Sequence, residues 1–194
     1  MTQGTLQELV EGVQAGNLIS FPTDTVPALA AIPSKAPLIY AIKQRSQDKP
    51  LILMAAEATD LWSFVTGSAE ELSIWQQMAA TYWPGALTMV LPASDRVPKE
   101  INLASPNTVG LRVPNHAIAR AILTRTGALA TTSANKSGQP PLQTMREIAT
   151  EFPEVLTLST LNTEPTASAI PSTVIKLIGN NWQILRLGAV KLES

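Results

Sequence analysis

Residues 108–131 read TVGLRVPNHAIARAILTRTGALAT, and this stretch decides the fold class. Its first six residues alternate as a strand does, with Val109, Leu111 and Val113 on one face and Thr108, Gly110 and Arg112 on the other. Pro114 ends that run. From His116 to Arg125 the apolar residues recur at helical spacing, with Asn115 positioned as the cap, and Ala128 to Thr131 returns to strand character. Strand, helix and strand in succession make an α/β unit.

The same alternation extends in both directions. Further strands are expected at Asn17–Phe21, Ala28–Ile32, Leu51–Ala55, Ala86–Leu91, Val155–Leu158, Ser172–Leu177 and Trp182–Leu187. Further helices are expected at Thr5–Ala15, Pro37–Lys43, Ala69–Tyr82 and Leu142–Glu151. The stretch from Leu161 to Pro171, rich in Thr, Ser, Ala and Pro, reads as a loop long enough to cover a site. Fifteen prolines and ten glycines punctuate the 194 residues, and 45% hydrophobic content is enough to close one core, so residues 1–194 are expected to form a single domain.

Composition excludes several chemistries. There is no cysteine and His116 is the only histidine, so disulfides, thiolate nucleophiles and histidine-rich zinc sites are ruled out. A metal would have to be a hard cation held by oxygen. A net charge of −1 lacks the basic excess of a dedicated nucleic-acid binder. The N-terminus has neither a basic start nor a continuous apolar stretch, and no apolar run reaches membrane-spanning length, so a cytoplasmic protein with no membrane association is expected.

No phosphate loop, dinucleotide fingerprint or nucleophile elbow occurs. Instead, cations interrupt apolar runs. Lys43 and Arg45 follow the apolar LIYAI, Arg112 shares a strand face with Gly110, and strand alternation puts Arg186 on a face with Trp182 and Ile184. Each alone fits an ordinary ion pair, but four near strand ends suggest an anion pocket. The polar runs ATTSANKSGQPP at 130–141 and PSTVIKL at 171–177 fit either turns or phosphate-binding segments. In FPTDTVPAL at 21–29, Asp24 fits a helix cap, the favoured reading, or a ligand to Mg²⁺ beside phosphates.

Taken in order, these segments resemble the YrdC-like family of threonylcarbamoyl-AMP synthases from about Leu18 to Gly188. The resemblance is carried by Phe21-Pro22-Thr23-Asp24-Thr25-Val26, Lys43-Gln44-Arg45 with Pro50-Leu51, Trp83 to Thr88, Arg112 to Pro114, Ser133 to Asn135 with Ser137-Gly138, Ser172-Thr173-Val174, and Leu185-Arg186. It implies a twisted mixed α/β sheet with flanking helices and a large open cavity, without the C-terminal extension domain of longer relatives. The implied reaction is a nucleotidyl transfer joining L-threonine, bicarbonate and ATP, with Mg²⁺, into L-threonylcarbamoyladenylate, which feeds a separate tRNA-modifying transferase. By that resemblance Lys43 and Arg45 are the catalytic cations, and Lys43, Arg45, Ser133, Asn135 and Arg186 hold ATP. Thr23, Thr25, Arg112, Ser172 and Thr173 belong to the threonine side.

Three departures from the family pattern fall on the amino-acid half. Pro27, Ala28 and Ala30 stand where an aromatic residue and two glycines are usual, Met54 replaces a histidine, and Ala169, Ile170 and Pro171 replace a glycine-rich lead-in. Two alternatives follow: a paralogue that binds a nucleotide or double-stranded RNA without catalysis, and an enzyme acting on a different amine.

Overall fold

The structure, a computed structural model, describes residues 3–159, 168–179 and 181–192. In chain order the elements are β1 Gln3–Gly4, α1 Leu6–Gln14, β2 Ile19–Phe21, β3 Ala28–Ala31, α2 Ala36–Lys43, β4 Ile52–Met54, α3 Ala69–Tyr82 and β5 Leu87–Pro92. There follow β6 Thr108–Arg112, α4 Ala117–Thr126, β7 Leu129–Ser133, α5 Met145–Glu151, β8 Leu156–Leu158, β9 Thr173–Ile178 and β10 Asn181–Arg186. The expected loop from Leu161 to Pro171 lies outside the described residues over 161–167.

The helix starts are set by side-chain caps. Thr5, Ser68 and Thr144 each accept the backbone N–H of a glutamate three residues on, and that glutamate returns to the cap's own N–H. The box at Thr144 and Glu147 starts α5 at Met145, three residues later than the apolar pattern from Leu142 suggests. His116, not Asn115, caps α4, its Nδ1 accepting from Ala119 N at 3.5 Å. That role requires the neutral ring, and burial pushes the His116 pKa below its usual value while the charge of Asp24 opposes the shift.

The described strands form one mixed sheet in the order β1-β8-β2-β3-β7-β4-β6-β5-β9-β10. Parallel pairs are β1 with β8, β8 with β2, β4 with β6, and β5 with β9. The remaining neighbours are antiparallel. β1, two residues long, carries too little pattern to be read from sequence. Helices α1 and α4 pack on each other, while α1 and α5 cover β8 and α2 lies on β3. One sheet face is closed by Leu29, Leu53, Met89, Leu111 and Ile175, all fully buried. The other face, over the strands from β3 to β10, is the floor of a cleft.

Register explains how the floor is assembled. Ala28 pairs with Ser133, Ile52 with Thr131 and Gly110, Val90 with Gly110, and Thr88 with Val174. Directly opposed residues share a face, so these side chains form one surface. At the edge, Ile184 opposes Ile175 but Arg186 opposes Val174, so one extra residue sits between them. This bulge corrects the simple alternation: Arg186 does not share a face with Trp182 and Ile184 but turns to the cleft side with Val174. Among the described residues no helix is long and apolar enough to cross a membrane.

Candidate functional site

The cleft encloses about 350 Å³, and its described lining includes Arg45, Lys49, Arg112 and Arg186 but no aspartate or glutamate. Such an unbalanced wall favours an anionic ligand. Burial pushes the pKa of Arg45, Arg112 and Arg186 below the usual guanidinium value, and the charge of Arg186 adds to the shift at Arg45 and Arg112. These groups destabilise one another until an anion arrives.

Arg112 is the most enclosed of them, with only 4% exposure. Its Nε donates to Gly85 O at 3.1 Å, Nη1 to Thr25 Oγ1 at 2.8 Å and Nη2 to Asp24 Oδ1 at 2.6 Å. Asp24 therefore pairs with Arg112 rather than capping a helix. Gly85 supplies its carbonyl from a turn that tolerates no side chain, since a Cβ there would lie 2.4 Å from Tyr82 O. Thr25 is fully buried and lines the cleft. Thr23 does not line it. Its hydroxyl donates to Val26 O at 2.7 Å and accepts Thr25 N at 3.2 Å, which shapes the turn.

Lys43 and Arg45 part company at Gln44, whose φ of 49° is left-handed and ends α2. Arg45 turns to the cleft and is held by Lys49 O at 3.2 Å and Pro50 O at 3.0 Å. Lys43 is fully buried and is not among the lining residues. Its ammonium donates to Ser133 O and Asn135 O, each at 2.5 Å, and to Asn135 Oδ1 at 3.3 Å. Burial first, then the Arg45 charge, pushes its pKa down to about 7. Ser137 N returns a bond to Lys43 O at 3.1 Å, so the end of α2 and the 133–139 turn are tied by main chain and side chain alike.

In that turn Ser133 lines the cleft and donates to Asn135 Oδ1 at 2.6 Å. Asn135 itself faces inward, its amide donating to Lys136 O at 2.9 Å and Gln139 O at 2.6 Å. On the other wall Ser172 lines the cleft, bonded to Thr88 Oγ1 at 2.8 Å and accepting the Arg186 guanidinium on its carbonyl at 2.8 Å. Thr173 points away and clasps the following chain: it donates to Val190 O at 2.5 Å and accepts Gly188 N at 3.0 Å and Val190 N at 3.2 Å.

The fold thus brings Thr25, Arg45, Arg112, Ser133, Ser172 and Arg186 to one cleft. It does not bring Thr23, Lys43, Asn135 or Thr173 there. Sequence reasoning missed the pairing role of Asp24, the Gly85 carbonyl, Thr88 and Lys49. Asp24 and Thr88 stand inside motifs that were noticed, so that signal existed, whereas the Gly85 carbonyl leaves none. Of the departures, Ala28, Met54 and Pro171 line the cleft, and Met54 opposes Arg112 in register on the neighbouring strand. Among the described residues no group of three or more histidines, aspartates and glutamates is placed to hold a metal.

The chain is similar to known proteins over most of its length. The Sua5–YciO–YrdC family signature, described as telomere recombination, matches residues 11–188. A threonylcarbamoyl-AMP synthase of Vibrio campbellii is 30% identical over 186 residues, covering 94% of this chain and 98% of its own. That of Bacillus subtilis is 30% identical over 94% of this chain, but the match spans only 53% of the Bacillus protein. The crystal structure of P. abyssi Sua5 complexed with L-threonine superposes with a TM-score of 0.84 at 31% identity, covering 94% of this chain and 54% of that one. With the match running over nearly its whole length, the chain belongs to the Sua5–YciO–YrdC family.

Proposed function

We propose that this chain is a threonylcarbamoyl-AMP synthase, joining L-threonine, bicarbonate and ATP into L-threonylcarbamoyladenylate with release of pyrophosphate and water. The observation that carries this reading is a cleft wall with Arg45, Lys49, Arg112 and Arg186 and no carboxylate. The similarity to synthases over 94% of the chain supports it.

In this reading a C–O bond of bicarbonate breaks to give carbon dioxide and hydroxide, and the threonine amine adds to that carbon, forming the N–C bond of a carbamate while its released proton joins the hydroxide as water. A carbamate oxygen then attacks the α-phosphorus of ATP, and the bond from that phosphorus to the bridging oxygen of pyrophosphate breaks. Charge accumulates on phosphate oxygens, so positioning and guanidinium groups do more than a protein acid or base would. Arg45, Arg186 and Ser133 take the nucleotide. Lys43 and Asn135 act one layer back, by holding the turn that presents Ser133. Arg112, held in place by Thr25, takes the threonine carboxylate, with Ser172 between the two halves.

Mg²⁺ in this scheme enters on the triphosphate as part of the substrate. The cleft offers it the neutral hydroxyls of Thr131, Thr132 and Ser133 but no carboxylate, so the donor set does not make a resident metal site. The product is handed to a tRNA-modifying transferase, and the setting is the cytoplasm.

The test is pyrophosphate release from purified protein with ATP, Mg²⁺ and bicarbonate, with and without L-threonine. Threonine-dependent release establishes the synthase. Release with another amine alone identifies an altered substrate. No release, with ATP still bound, identifies a non-catalytic nucleotide-binding paralogue and overturns the proposal.

A further inference from the structure

We infer that Asp24 is a positioning residue that holds the Arg112 guanidinium, by charge and by hydrogen bond, in the one orientation that leaves its two remaining N–H groups for a carboxylate. The inference rests on the reading of Arg112 as the carboxylate-binding group, and it concerns a residue that does not itself line the cleft.

A guanidinium has five N–H donors. At Arg112 three are occupied, one on Nε by Gly85 O, one on Nη1 by Thr25 Oγ1 and one on Nη2 by Asp24 Oδ1. Among the described residues no partner takes the remaining N–H on each terminal nitrogen, and two such groups can meet a carboxylate in a forked arrangement. The acceptors come from two separated parts of the chain, the neighbours Asp24 and Thr25 and the distant Gly85, and together they define the plane of the group.

The protons around Thr25 are also ordered. Thr23 Oγ1 donates to Val26 O at 2.7 Å, so in its 3.2 Å contact with Thr25 Oγ1 the proton belongs to Thr25. Thr25 thus meets Arg112 purely as an acceptor and has no proton to spare for a substrate carboxylate. Of the three acceptors only Asp24 is charged. Its side chain is 15% exposed against 4% for Arg112, so the pair lies where removing one partner leaves the other poorly solvated. Asp24 therefore fixes the direction of Arg112.

The experiment measures steady-state pyrophosphate release against L-threonine, and ATP affinity by calorimetry, for the wild type, Asp24→Ala and Asp24→Asn. It also records ¹⁵N-resolved guanidinium spectra of Arg112. Asp24→Ala should raise the threonine KM about tenfold with kcat changed less than about threefold. ATP affinity should stay within about twofold of the wild type. Asp24→Asn keeps an acceptor of the same shape, and a rise of about threefold is expected. In the wild type the four Nη protons should give separate signals, which merge in Asp24→Ala as the group rotates freely. An unchanged threonine KM in folded Asp24→Ala or Asp24→Asn overturns the inference, and so does a parallel loss of ATP affinity. If the wild type shows no threonine-dependent release, the functional reading fails and the spectra decide: separate signals that merge in the variant sustain the role of Asp24, and signals merged in both proteins refute it.

Discussion

Arg112 and Arg186 lie on the same face of one sheet, yet they are built to different standards. Arg112 stands on β6 among inner strands, is almost wholly buried, and has a protein acceptor on each of its nitrogens, one of them charged. Arg186 ends the outermost described strand of that sheet, stays exposed, and among the described residues bonds only to Ser172. The first is oriented before any ligand arrives. The second can move with the ligand it meets. A site that must fix one small substrate and accommodate a larger, flexible polyphosphate gains from having both.

The largest break in this comparison is Arg112→Ala. It leaves Asp24 without its partner, and opening a buried pair from one side costs about 3–5 kcal/mol. Threonine-dependent pyrophosphate release should fall at least about 100-fold, and the melting temperature should drop by roughly 10 °C. Loss of activity with an unchanged melting temperature would mean that the Asp24 pair contributes nothing to the inner half.

Lys43→Met tests the same half from beneath. The variant strips the ammonium from two carbonyls of the 133–139 turn and should cost about 1–3 kcal/mol, with a raised KM for ATP and an unchanged one for threonine. The pH dependence has a definite sign. The folded pKa is about 7, below the unfolded value near 10.4, so between those limits the unfolded chain binds more protons. The stability of the wild type relative to Lys43→Met should therefore rise with pH across that window and be flat below it. Melting curves of both proteins from pH 6 to about pH 10 read this directly, and a flat difference would refute the depressed pKa.

Gly110→Ala is a smaller perturbation of the same floor. A Cβ at 110 would lie 2.8 Å from Ile52 Cγ2 on the neighbouring strand, so one side chain must shift. Overpacking of this kind costs about 1–2 kcal/mol. The chain should still fold, as judged by circular dichroism, with the KM for both substrates raised because Ile52 is pushed into the cleft.

The inner half was also the more legible one. Alternation in residues 108–113 alone puts Gly110 and Arg112 on the open face, and the structure has them there. Helix α3 could be read from its pattern to the residue, because an apolar period coincides with a cap at Ser68. Helix α5 begins later than the apolar pattern from Leu142 suggests because the Thr144 and Glu147 box sets its start. What sequence could not supply was non-local. That Asp24 meets Arg112 depends on two segments 88 residues apart, and that Lys43 lies behind the turn it helps to form depends on the left-handed Gln44. The face of Arg186 was misread for a simpler reason, since period two fails wherever a strand carries one residue too many.

That misread edge yields the most discriminating test, because it separates function from stability. Arg186→Ala removes a side chain whose partners are the carbonyl and hydroxyl of Ser172, and Ser172 keeps its bond to Thr88 Oγ1. No charge is left buried, so the melting temperature should change by less than about 2 °C. Its removal also relieves Arg45 and Arg112 of a like charge, which acts against any loss of stability. The nucleotide, by contrast, loses a cation that the bulge has turned to the cleft wall, and ATP affinity should weaken about tenfold. A large fall in melting temperature would make Arg186 a structural clamp on the 171–172 wall. Unchanged ATP affinity would show that the bulge serves the edge of the sheet and not the ligand.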